Sequence, residues 1–319
     1  MNYKNFSVII PAHNEEINLG RVLDSLSNCV PKGIISEIVV VDDESTDDTV
    51  AVACERGVRV ISNKPGKRLT IAGLRNLGAR STSAALLAFL DADILVPPDW
   101  LELAMSRFNS GLNGALGFTD KAPTDASWVG RVWGNRSDSP HSDKATDFLP
   151  GRNILITRAA FDAVGGFDET LTTCEDKEFT YRLCNSGYPV IRISSAILIH
   201  LGSERSLGEF LRKEFWRQSA TFAFAKQHGF AFRTLRNPLL SLWHLCCACS
   251  LVAATMFHAG NAAVVALVLW LIPSAIFTIR NALYMHQHQD LPLVFLLTWL
   301  RWNVSGLALI WQIFNYHKR

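Results

Sequence analysis

The chain lacks the marks of several common protein classes. Positive and negative side chains nearly cancel, with 31 Lys and Arg against 29 Asp and Glu, so no nucleic-acid footprint shows at the level of net charge. No basic segment followed by an apolar one opens the sequence, so no secretory signal is expected and the amino-terminal domain is expected in the cytosol. Cysteine is sparse: seven residues, scattered except for Cys246, Cys247 and Cys249. That cluster lies in an apolar run without partners at zinc-ligand spacing, so the cysteines read as small packing residues in a reducing compartment.

What is present divides sharply near residue 237. Before it the sequence reads as an α/β domain; after it apolar residues dominate. Residues 239–257 and 262–279 each approach the ~20 residues that cross a bilayer as a helix. The second run contains Pro273, and 258–261 supplies a tight turn, so the two read as a helical hairpin. A third run, 291–314, carries Arg301 and Asn303 near its middle. A central arginine costs about 2.5–3.5 kcal/mol on insertion scales. The segment therefore either crosses with Arg301 facing other helices or dips in and returns. Arg233, Arg236 and Arg280 flank the hairpin on one side and favour a cytosolic start. The basic tail 316–319 also favours the cytosol and leans towards a re-entrant third segment. Residues 210–236 mix Phe210, Phe215, Trp216, Phe222 and Phe224 with Arg212, Lys213, Arg217 and Lys226. That composition suits a helix in the headgroup layer, and equally one packed on protein.

Acid gathers at strand ends. Leu86 to Leu90 is a short apolar run of buried-strand type that stops at Asp91 and Asp93. Strand geometry expects these two on one side, at the carboxyl end of a sheet, where open α/β sheets bind ligands. Two close carboxylates repel unless a cation lies near, and hard oxygen ligands suit Mg²⁺ or Mn²⁺. Val8 to Ile10 ends in Pro11, Ala12, His13, Asn14 and Glu15, and Ile38 to Val41 ends in Asp42, Asp43, Glu44, Ser45, Thr46 and Asp47. Between them the apolar positions Leu19, Val22, Leu23 and Leu26 follow a helical period. Strand alternating with helix predicts a parallel sheet with three acidic strand ends along one edge.

Taken in order, these segments resemble a family-2 glycosyltransferase of the GT-A fold with a carboxy-terminal membrane anchor. The GT-A fold is the Rossmann-like nucleotide-diphospho-sugar transferase fold, with a mainly parallel sheet. The resemblance spans roughly residues 6–217. It rests on the first strand and its turn, on Val41 to Asp47, on Leu74-Arg75-Asn76-Leu77-Gly78-Ala79 and on Asp91-Ala92-Asp93. Further on, Gly165-Gly166-Phe167-Asp168-Glu169 and Cys174-Glu175-Asp176 resemble the acceptor-side motifs. The resemblance implies a nucleotide-sugar site at Pro11, Ala12, Asn14, Glu15, Asp42, Asp43, Arg75 and Asp91. It implies a metal at Asp93, with Asp91 and His200, and a base at Asp176 beside Glu175, opening a helix over 176–184. Asp42 or Asp43 pairing with a base leans towards UDP.

The implied domains are 1–209, catalytic, with an irregular acceptor-side insert at 120–147; 210–236, amphipathic and interfacial; and 237–319, membrane. Arg205, Arg212 and Arg217 lie where they could reach phosphate. The Q-x-x-R-W motif of processive synthases is not matched by residues 212–216, which points to transfer of one sugar at a time. The expected protein is thus a multi-pass, metal-dependent inverting transferase of the inner membrane with its catalytic domain on the cytosolic face. It would take a nucleotide-diphospho-sugar and a lipid-linked or glycan acceptor, contact membrane lipids, and bind no nucleic acid, serving cell-envelope glycan or glycolipid synthesis. Two other readings are a polyprenyl-phosphate glycosyltransferase, whose already ionised acceptor needs little base catalysis, and a non-catalytic nucleotide-sensing membrane protein. The last is disfavoured because the apolar third carries no paired intramembrane carboxylates.

Overall fold

A computed structural model describes residues 3–63, 66, 68–136, 143–218, 220–229, 232–283 and 288–315. His141 of the insert and the basic tail 316–319 lie outside them. The chain forms two compact units. The first takes in residues 1–123 and 139–202; the second takes in 124–138 and 203–319. The central helix of the 120–147 insert thus belongs to the second unit.

In the first unit, β1 (Phe6–Ala12), β2 (Ile35–Asp42), β3 (Arg59–Ser62) and β4 (Leu86–Leu90) pair in parallel in the order β3-β2-β1-β4. Helices α1 (Glu16–Ser27), α2 (Thr49–Glu55) and α3 (Ile71–Arg80) connect them. Alternation sorts the side chains of β1 between two cores. Val8 and Ile10 join Leu19, Val22 and Leu23 of α1 on one face, whereas Ile9 meets Leu74 and Ala79 of α3 on the other. Gly78 lets α3 lie directly on the sheet, since a Cβ there would collide with Ile9. The order reverses between β1 and β4, and a crevice forms at such a switch point outside the strand ends.

The sheet continues beyond β4 in a mixed half. Short β5 (Ile94–Leu95) and α4 (Trp100–Asn109) precede β6 (Ala115–Lys121). Then come α5 (Trp128–Gly134), β7 (Lys144–Ala145), β8 (Asn153–Thr157), α6 (Arg158–Ala163), α7 (Glu175–Asn185) and β9 (Val190–His200). Strand β8 lies antiparallel between β4 and β6, while β9 runs parallel to β6 and carries β5 and β7 antiparallel. Pairing of Ile94 with His200 draws the end of β9 beside Asp93.

The second unit contains α5, α8 (Leu207–Gln218), α9 (Thr221–Gln227), α10 (Phe232–Met256), α11 (Gly260–Ala282) and α12 (Leu291–Asn315). The last three are long and apolar enough to cross a membrane. Their apolar side chains largely point outwards, as do Val264, Val265, Val268, Ile272, Ile276 and Ile279 of α11, while Ser274, Thr278 and Asn281 are buried. This inside-out polarity fits lipid as the surrounding solvent. Pro273 does not break α11. Its ring removes the N–H that would bond Leu269 O, and the indole N–H of Trp243 on α10 donates to that carbonyl at 3.0 Å instead. The third apolar run is one unbroken helix rather than a dip and return. The described residues of 210–236 contribute most of α8, all of α9 and the start of α10, three helices rather than one. Phe210, Glu214 and Gln218 are buried along one side of α8 and Trp216 is half exposed.

Candidate active site

The turns after β1 and β2 are stitched together. Asn14, held at a positive φ, accepts the amide of Thr46 on its side-chain oxygen (2.8 Å), and its own amide donates to Ser45 Oγ. The amides of Glu15 and Glu16 donate to Thr49 Oγ1 and Asp47. Asn14 thus shapes the loop edge. Burial pushes the Glu15 carboxyl up, against a hydrogen bond from Asn18, and the nearby charges of Asp93, Asp91 and Asp47 push it further. A concentration of negative charge therefore sits at the switch point.

The paired aspartates at the end of β2 have different surroundings. Burial alone would raise Asp43. The amide of Leu69, Asn63 Nδ2 and Arg68 Nε outweigh it and hold the carboxyl below its usual range. Both Asp43 oxygens thereby fasten the segment before α3. Asp42 Oδ2 accepts the amide of Ser45 at 3.3 Å, whereas Oδ1 is buried with no hydrogen-bond partner among the described residues.

Arg75 turns its guanidinium to two carboxylates. It is 2% exposed and bridges the two acidic motifs, with Nη2 2.9 Å from Asp91 Oδ1 and Nη1 2.8 Å from Glu175 Oε1. The next residue, Asn76, donates to Phe167 O and Glu169 and accepts the Phe167 amide, so it holds the Gly165–Glu169 loop. Gly165 and Gly166 both adopt positive φ there. Residues 74–79 thus act as a bracket: Arg75 joins two acidic motifs, Asn76 a third segment, and Gly78 seats the helix on the sheet.

Asp91 and Asp93 are not strand neighbours on one side. The strand ends at Leu90, and a turn closed by the Ile94 amide on Asp91 O separates them. Asp91 turns to Arg75, and Asp93 turns to His200, whose Nε2 lies 3.3 Å from Asp93 Oδ2. Gly202 follows closely, where a Cβ would collide with Asp93. Among the described residues no three His, Cys, Asp or Glu side chains form a metal-binding group. Asp93 and His200 supply two donors, which fits a cation that takes its other ligands from diphosphate oxygens and water.

Helix α7 opens at Glu175, one residue before the expected start. Asp176 Oδ2 accepts the amide of Gly151 at 3.0 Å and Oδ1 that of Lys177 at 2.7 Å. Its charge also lies at the positive end of the helix. Burial raises the Glu175 carboxyl and the Asp176 charge adds to this, opposed by Arg75. The loop 150–153 had no motif to announce it. Gly151 abuts the Arg75 guanidinium at 2.7–2.9 Å from a would-be Cβ, Arg152 O accepts the Asp91 amide, and Arg152 pairs with Asp120 at 2.9 Å. A Pro-Gly turn before a buried strand was its only trace in the sequence. Arg217 is committed elsewhere, to Glu204 and Glu214.

Over 235 residues the chain is 27% identical to the pre-mycofactocin glycosyltransferase of Mycobacterium tuberculosis, covering 69% of this chain and 47% of that protein. It thus spans about half the length of that curated relative. Over 227 residues it is 29% identical to the glycosyltransferase AglE of Haloferax volcanii, covering 66% of this chain and 70% of the relative. Among solved structures, the mannosyltransferase PcManGT of Pyrobaculum calidifontis, in complex with GDP-Man and Mn²⁺, superposes with a TM-score of 0.64. That likeness covers 96% of this chain and 87% of that one at 22% identity, and it bears on the GT-A fold alone. Residues 7–165 match the family described as Glycosyl transferase family 2, and through that domain the chain belongs to it.

Proposed function

We propose that the protein is a membrane-bound, inverting glycosyltransferase that moves one sugar at a time from a nucleotide-diphosphate donor to a hydroxyl of a lipid-linked or glycan acceptor. The observation that carries this reading is the bridge through Arg75, which ties the Asp91 turn to Glu175 and so to its neighbour Asp176. Donor-side acid and acceptor-side base are thereby held in one rigid arrangement.

Asp93 and His200 would hold a divalent cation, which when bound neutralises the diphosphate and makes it a better leaving group. The nucleotide complex of the mannosyltransferase with Mn²⁺ supports that choice of ion. Asp42 Oδ1, buried and without a partner among the described residues, suits the N3–H of uracil, so UDP leads the donor panel, with GDP beside it. Asp176 takes the proton of the acceptor hydroxyl as its oxygen bonds the anomeric carbon and the bond to the diphosphate oxygen breaks. The Gly151 amide keeps Asp176 Oδ2 in place for that transfer. Three bilayer-length helices on the same chain support an acceptor carried by a membrane, with the catalytic unit on the cytosolic face of the inner membrane.

The test is release of nucleotide by the purified protein in detergent from UDP-, GDP- and dTDP-sugars, with and without Mn²⁺ or Mg²⁺. Metal-dependent turnover of one donor, lost in Asp93→Ala, is the expected result. Asp176→Asn should keep donor affinity and lose transfer by at least ~100-fold, the usual worth of a positioned base. No binding of any donor would sink the proposal. Full transfer by a folded Asp176→Asn protein would remove the base and favour an acceptor that is already ionised, such as a polyprenyl phosphate.

A further inference from the structure

Arg301 was the one charged residue in the middle of the apolar third segment, and the structure gives it partners. Its Nε lies 3.1 Å from Glu214 Oε2 on α8. Glu214 is 2% exposed and also pairs with Arg217 at 2.7 Å, and Arg217 reaches Glu204 at 2.8 Å. Two acids and two bases therefore alternate in a chain from Glu204 to Arg301, with no net charge. The Arg301 guanidinium lies over two indole rings, Trp302 of its own helix at 5.1 Å and Trp133 of α5 at 5.6 Å.

Helix α5 is the central helix of the acceptor-side insert, and both ends of this network touch it. Trp133 packs edge-on against Phe210 at 5.1 Å, in an apolar cluster with Val129, Val132, Val294 and Leu297. At the Glu204 end, the Ser127 hydroxyl that caps α5 donates to Glu204 O at 2.6 Å. Gly130 approaches the same carbonyl so closely that a Cβ would stand 2.9 Å from it. Glu204 in turn follows His200 by only four residues. A seven-residue helix with one apolar face has little independent stability. The polar chain and the aromatic contacts are what hold it.

We propose that Glu214 and Arg301 are positioning residues that fasten the acceptor-side insert helix to the third apolar helix. The functional weight of that insert rests on the reading given above; the fastening itself does not. Removing Glu214 leaves the half-buried Arg301 guanidinium without its carboxylate, whereas removing Arg301 leaves Glu214 still paired with Arg217, and removing both leaves an apolar contact of similar volume with Arg217 kept on Glu204. The four forms of a double-mutant cycle thus give different results for a fastening pair and for a residue that touches substrate.

The experiment is trypsin cleavage at Arg131 and Arg136 in the full chain in detergent, read alongside Mn²⁺-dependent hydrolysis of the preferred nucleotide-sugar. Glu214→Leu should speed cleavage about tenfold, the change that about 1.4 kcal/mol of lost docking produces. Glu214→Leu with Arg301→Met should restore protection, and Arg301→Lys, which keeps the charge, should stay protected. Donor hydrolysis should hold within about twofold throughout, because its residues lie in the first unit. Protection unchanged in Glu214→Leu, or not restored in the double variant, would overturn the proposal, as would hydrolysis falling in step with protection. A wild-type protein that hydrolyses no donor would defeat the proposed function, and the cleavage cycle would still decide the fastening.

Discussion

Replacing Arg75 with methionine removes the guanidinium and keeps most of the stem. Its two partners then respond differently. Asp91 is about one third exposed and recruits water in place of the lost donor, whereas the Glu175 side chain is 9% exposed. Burial and the neighbouring Asp176 already raise the Glu175 carboxyl, and Arg75 is the chief opposition, with a backbone hydrogen bond beside it. Without that cation, Glu175 takes up a proton in preference to standing as a bare buried charge. Removing one partner of a buried pair costs ~3–5 kcal/mol, and that is the size expected at pH 7.

The cost carries a pH signature. A carboxyl raised in the folded state destabilises it increasingly as pH rises through that raised value, and ceases to do so below the unfolded value. For a unit of this size, ~2–4 °C of melting temperature per kcal/mol turns that into a drop of about 6–20 °C at pH 7, which narrows as the pH falls towards the ordinary carboxylate range. Tryptophan fluorescence of the full chain in detergent, melted at pH 7 and at lower pH beside wild type, measures the drop and its narrowing. A gap below about 1 kcal/mol, or one that does not narrow on acidification, would show that Arg75 is not a buried bridge.

Glu15→Gln tests the negative charge at the switch point from the other side. In EDTA the variant should be more stable than wild type, with the gain growing as pH rises through the raised Glu15 value and vanishing below about 4.5, where the native carboxyl is protonated in both states; melting curves against pH decide it. Gly151→Ala places a methyl 2.7–2.9 Å from the Arg75 guanidinium and shifts the amide that holds Asp176. It should cost about 1–3 kcal/mol as overpacking and lower kcat for transfer while leaving donor affinity near native, which steady-state kinetics beside a melting curve would show.

Much of the first unit was legible because it is local. Val8 to Ile10 alternate between two cores, α1 carries its apolar residues at helical spacing, and β2 and β4 stop where acid begins. The bilayer-length helices were legible for the same reason, since length and apolar content lie along the chain. What Arg75 does was not, because its partner Glu175 is 100 positions away and the nearer partner, Asp91, looked from its spacing like a metal ligand. Asp42 and Asp43 were indistinguishable until Asn63, Arg68 and Leu69 closed over one of them. Arg301 looked like a cost to be hidden, and nothing along the chain paired it with Glu214. Periodicity and motif order determined which elements form and which edge bears the acid. Only the tertiary structure decided which charges meet, because an ion pair depends on where two distant segments place their side chains, and no local pattern records that.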